Sequence, residues 1–124
     1  MLFRSDRIVW GASFGMCMGY CRHELQVTAT EIRLTDSSWD PEHYPARIST
    51  RPMTREGWDS LTSALDASGF RSLHQTYGCP DCADGGAEWV EAGDRRVTFE
   101  YGSSPAALQP LVLQLRTIHA TVSP

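Results

Sequence analysis

The residues of this chain best suited to chemistry are four cysteines in two close pairs: Cys17 and Cys21 in SFGMCMGYC, and Cys79 and Cys82 in GCPDC. Sulfur at such spacings serves three chemistries. Four thiolates can hold one zinc ion tetrahedrally, two pairs can close as disulfides, and a Cys-x-x-Cys can cycle between thiol and disulfide. In an extended strand, Cys17 and Cys21 would lie ~13 Å apart at roughly 3.3 Å per residue. A disulfide needs Cα atoms about 4.4–6.8 Å apart, so the stretch has to curl under any local pairing. Both pairs are therefore expected in loops, the first between the first two strands and the second between a helix and a hairpin.

Cys17, Cys21, Cys79 and Cys82 together make a four-thiolate set for one zinc ion, with no metal expected if they form disulfides. His23 could take the place of Cys21. Met16 and Met18 are soft thioethers that would suit copper(I), but in a strand-like stretch they point away from Cys17. A redox role for Cys79 and Cys82 calls for a helix N-terminus to activate the first thiolate. CPDCADGG instead meets Gly85 and Gly86 at once, which argues against it.

The remaining polar residues make no complete catalytic set. Zinc deaminases pair His-x-Glu with Pro-Cys-x-x-Cys; here His23 and Glu24 are adjacent and Pro80 follows Cys79. His43 and His74 fall in loops and His119 late on a helix, each read as isolated. Asp81, Asp84 and Glu88 crowd around Gly85 and Gly86 but lack EF-hand spacing, so they read as a turn with exposed carboxylates. No serine-nucleophile or phosphate-cradling motif occurs. No catalytic residue is assigned, and the reading leans away from an enzyme.

SFGMCMGYC together with GCPDCADGGAEW resembles the signature of an uncharacterised small bacterial protein family. The resemblance covers only those two short blocks and implies no activity. It does imply that the blocks belong together as one feature.

Positioning these loops requires a frame. The 124 residues suit one domain, residues 1–124, able to bury a core without staples. RIVWGASF reads as a strand, and ELQVTATEIRLT as a hairpin turning near Ala29 and Thr30, with Leu25, Val27, Ile32 and Leu34 alternating. The chain from Asp36 to Pro52 reads as irregular, with ARIST a short edge strand. A helix follows: Thr54 caps it, Trp58, Leu61 and Leu65 line one face, and Gly69 ends it. AEWVEAGDRRVTFEYG is a second hairpin. The last segment is a helix with Leu108, Leu111, Val112, Leu115, Ile118 and Val122 as its stripe, beginning after Ser104-Pro105 or nearer Gln109. Trp58, Trp89 and Phe99 are read as core. The expected architecture is α+β: an antiparallel sheet of about five strands with two helices packed on one face.

Charge narrows the partners. The formal net charge is -4, and 11 arginines with no lysine are scattered along the chain, so nucleic acid is not expected. No apolar run approaches the ~18 residues of a membrane span. Read as complete, the chain belongs in the cytoplasm; with a leader removed, it is exported and disulfides are favoured. The expected function is a small binding or interaction domain, with an unidentified protein or small-molecule partner, whose loops are pinned by the cysteines through zinc or disulfides. The alternatives are a thiol–disulfide redox protein using Cys79 and Cys82, and an exported, disulfide-stapled ligand-binding or inhibitor domain.

Overall fold

The computed structural model of the chain describes residues 6–124; the first five residues, on which the leader question turns, lie outside them. The fold is α+β, with a seven-stranded sheet and two helices. The strands are β1 (Ile8–Ser13), β2 (Tyr20–Val27), β3 (Glu31–Ser38), β4 (Arg47–Pro52), β5 (Thr76–Tyr77), β6 (Ala87–Ala92) and β7 (Arg95–Glu100), and the helices are α1 (Arg55–Ala67) and α2 (Gln109–Val122). Spatial order is β4-β3-β2-β1-β6-β7-β5. Neighbours are antiparallel except β5, which runs parallel to β7.

Alternation decides which face is covered. Ile8 and Trp10 on β1 pair with Val27 and Leu25 on β2, and with Ala92 and Val90 on β6. Ile32, Leu34, Val97 and Phe99 extend the same face. These side chains form one buried cluster with Leu61 and Leu65 of α1 and Leu111, Val112, Leu115 and Val122 of α2. Both helices therefore cover one face, as two half-buried hairpins and two amphipathic helices require in a chain this short.

Local signals explain the helix ends. The Thr54 hydroxyl accepts from the Gly57 N–H at 3.0 Å, satisfying one orphan donor of the first turn. Gly69 adopts φ 63° just past α1, and Phe70 folds back into the core at 1 % exposure. Pro110 sits in the first turn of α2, where it costs no hydrogen bond, and Leu108 is buried in a 3-10 turn just ahead of it.

Two readings are corrected, and a third is sharpened. The sheet has seven strands rather than about five, because β4 pairs fully with β3 and the two-residue β5 is too short to show any period. β3 continues through Asp36 to Ser38, so the irregular stretch begins later than its polar composition implies. Trp89 is buried, but on the face away from the helices. Its indole lies flat across Gly11, where any Cβ would collide with the ring, and Arg22 and Arg96 stand over it at 4.7 and 5.2 Å.

Candidate functional site

One end of the sheet gathers nearly all the polar chemistry. There the β1–β2 loop, the β3–β4 loop and the segment before β6 come together. The first loop is closed by the Phe14 N–H donating to the Cys21 carbonyl at 2.9 Å. Cys17 and Cys21 are joined as a disulfide with Cα atoms 5.8 Å apart, and Cys79 and Cys82 as a second with Cα atoms 5.5 Å apart. A disulfide sulfur has no thiolate to give a metal, so the four-thiolate zinc site would require both bonds to be reduced. Cys21 does not lie in the loop: it is a buried residue of β2, so the first disulfide ties the loop to the sheet. Cys79 and Cys82 are both exposed.

The two loops meet. The Phe14 ring occupies the space where a side chain on Gly86 would stand, and a Cβ on Gly15 would lie 2.9 Å from a carboxylate oxygen of Asp81. The second loop is tightly wound: Asp81, Ala83 and Asp84 all have positive φ. The Asp81 carboxylate accepts from the Gly86 N–H at 3.1 Å, and the Cys79 N–H donates to Glu100 at 3.0 Å. Around the joint pole stand Met16, Met18 and Trp39, exposed by 79 %, 89 % and 60 %. The Trp39 indole N–H donates to the Phe14 carbonyl at 2.9 Å.

Behind this pole, under α2, runs a polar row that crosses five strands. Pairing sets Arg47 of β4 opposite Asp36, Asp36 opposite His23, His23 opposite Ala12, and Ala12 opposite Glu88. All lie on the helix-covered face. Ala12 is the smallest side chain of the row, and Arg116 and His119 of α2 reach down to the groups flanking it.

Glu88 is wholly buried. It accepts from Trp10 Nε1 at 2.7 Å, Arg116 Nε at 2.9 Å, Arg116 Nη2 at 2.6 Å and the Gly102 N–H at 3.1 Å. The hydrogen-bonded Glu88 carboxylate raises the Arg116 pKa above its ordinary value against the opposing effect of burial. Sequence reading placed Glu88 among exposed turn carboxylates. The correction follows from β6: strand alternation turns it inward, while Asp81 and Asp84 stay in the loop.

Asp36 is 1 % exposed and accepts from His23 Nδ1 at 2.6 Å and Arg47 Nε at 3.2 Å. Arg47 also lies over the Tyr20 ring at 4.0 Å. The His119 ring packs 4.9 Å from Trp10 and 5.4 Å from His23. Burial, and then the neighbouring His23, lower the His119 pKa below its ordinary value; Asp36 opposes them. Its Nε2 is buried with no hydrogen-bond partner. Sequence reading treated His119 as isolated and weighed His23 only as a stand-in for Cys21; the fold puts the two together with Asp36. His43 stays apart, exposed beside Asp40, and His74 packs against Tyr77.

Neither a protein-family model nor a curated protein matches the chain. No helix among the described residues is long and apolar enough to cross a membrane.

Proposed function

We propose that the chain is a binding domain that docks a protein partner on the apolar tip of its disulfide-pinned pole. The observation that carries this reading is the exposure of Met16 and Met18 beside the Cys17–Cys21 disulfide, with Trp39 hydrogen-bonded to the base of the same loop. Methionine and tryptophan are enriched where proteins recognise one another. A loop held shut before binding loses less conformational entropy on docking than a free one. The cavity at this pole beside Cys79 and Cys82 measures about 270 Å³, just under the usual range for a small-ligand pocket, and it is the exposed Met16, Met18 and Trp39 side chains that favour a protein partner. Two disulfides also favour the exported alternative, since such bonds persist in oxidising compartments.

The test is affinity capture with the oxidised chain, compared with Met18→Ser and Trp39→Ser. Both positions are exposed, so melting temperatures should hold while a partner recovered by the parent chain is lost. A partner retained undiminished by both variants overturns the reading. A second reading, thiol–disulfide exchange at Cys79 and Cys82, draws on the exposure of both residues. Catalytic turnover of a disulfide substrate by a thiol reductant, abolished in Cys79→Ser, would favour it.

A further inference from the structure

The polar row holds more chemistry than the docking pole uses. One nitrogen from each of His23 and His119 and one carboxylate oxygen of Asp36 lie within 4.8 Å of one another, brought in from β2, α2 and β3. We propose that His23, Asp36 and His119 form a site for one zinc ion, with water in the remaining position. This proposal does not rest on the docking reading.

Four observations support it. The donor set is two imidazoles and one carboxylate, a combination that zinc takes in open, three-ligand sites. His119 Nε2 is buried and lacks any partner, an arrangement that costs stability unless something fills it. The ligands are held from behind: Arg47 Nε engages Asp36 Oδ2 at 3.2 Å, leaving Oδ1 on the His23 side, and Trp10 packs on the His119 ring. Such outer contacts orient metal ligands and are part of a functioning site. Finally, the His23 side chain is 24 % exposed, which gives the ion a way in.

Binding asks for modest adjustment. Bonds of about 2.1 Å in a tetrahedral site put ligand atoms about 3.4 Å apart, so the widest pair closes by roughly the reach of a side-chain rotation. His23 Nδ1 and Asp36 Oδ1, now 2.6 Å apart, open slightly. The ion takes the place of the hydrogen between them, and the other nitrogen of the neutral His23 ring carries the ring proton. The cysteines take no part, which separates this site from the four-thiolate zinc site considered from sequence.

The experiment uses untagged, full-length protein whose two disulfides are intact by mass and by absence of free thiols. Zinc chloride is titrated in while the histidine ring signals are followed by NMR. We expect saturation at one ion per chain, with the His23 and His119 rings shifting and those of His43 and His74 unmoved. Cobalt(II) should give a visible spectrum without a thiolate charge-transfer band. His119→Gln and Asp36→Asn should each weaken zinc binding at least about tenfold, whereas His43→Gln should not. The ring signals of the parent protein decide the matter even if a variant folds poorly. Absence of saturable binding overturns the proposal, as do equal shifts at all four histidines or a thiolate band with cobalt.

Discussion

Asp36 and Glu88 stand in the same cross-strand row, on opposite sides of Ala12, and both are shut away from water. Their partners differ. Glu88 receives four hydrogen bonds, two of them from one arginine whose charge is permanent. Asp36 receives one from an imidazole and one from an arginine that is 45 % exposed. A buried carboxylate is tolerable only when its acceptors are filled, and Glu88 meets that condition with nothing to spare for a ligand. Asp36 meets it through groups that can exchange partners. The same residue class in the same row thus does two jobs: Glu88 locks α2 to the sheet, and Asp36 keeps a site open to change.

The sharpest test is Glu88→Ala. It leaves the buried Trp10 Nε1 without its acceptor and unties Arg116, 33 % exposed, from the sheet, and should cost about 2–4 kcal/mol, at roughly 1–3 kcal/mol for each buried group left unsatisfied plus the lost ion pair. Urea unfolding measures it, and an unchanged midpoint would mean that the Glu88–Arg116 pair does not hold the helix. Asp36→Ala should cost less, about 1–2 kcal/mol, because Asp36 accepts two hydrogen bonds where Glu88 accepts four. Equal losses for the two variants would erase the distinction between the locked and the open carboxylate.

A smaller effect concerns pH. The His119 pKa in the folded chain lies below its ordinary value of 6.5, so the unfolded chain binds the proton more readily. Stability from this group is complete above about pH 6.5 and declines as pH falls from there toward the folded value. Melting temperatures across mildly acidic pH should therefore fall less in His119→Gln than in the parent chain. Parallel curves would assign the acid sensitivity elsewhere.

Much of the frame was legible from local signals. Thr54 and Gly69 bracket α1, alternation at Leu25, Val27, Val97 and Phe99 names the covered face, and the leucine stripe marks α2. These work because each depends on neighbours in sequence. The polar row depends on register between strands far apart in the chain, which composition does not encode. Asp36 opens the polar run DSSWD and Glu88 follows two aspartates and two glycines, so each looks like loop until pairing places it. His23 and His119 meet only because α2 crosses back over β2. Trp89 is buried as its type implies, but the side it takes was not legible: in AEWVEA it occupies the odd position, and its burial comes from Gly11 on the neighbouring strand and from arginines above the ring. The bonding state of the cysteines was open because the spacing of Cys79 and Cys82 suits a zinc turn as well as a disulfide.

The two margins of the sheet bear on how the molecule behaves in a crowd of its own copies. β4 at one margin is exposed along nearly its whole length, carries Arg47 and Arg51, and ends at Pro52; β5 at the other is only two residues long. A second chain approaching β4 meets positive charge and a residue with no amide hydrogen, and one approaching β5 finds almost nothing to pair with. Both margins are therefore poor templates for strand addition, and a pairing between copies of this chain has to begin somewhere other than an open, regular edge.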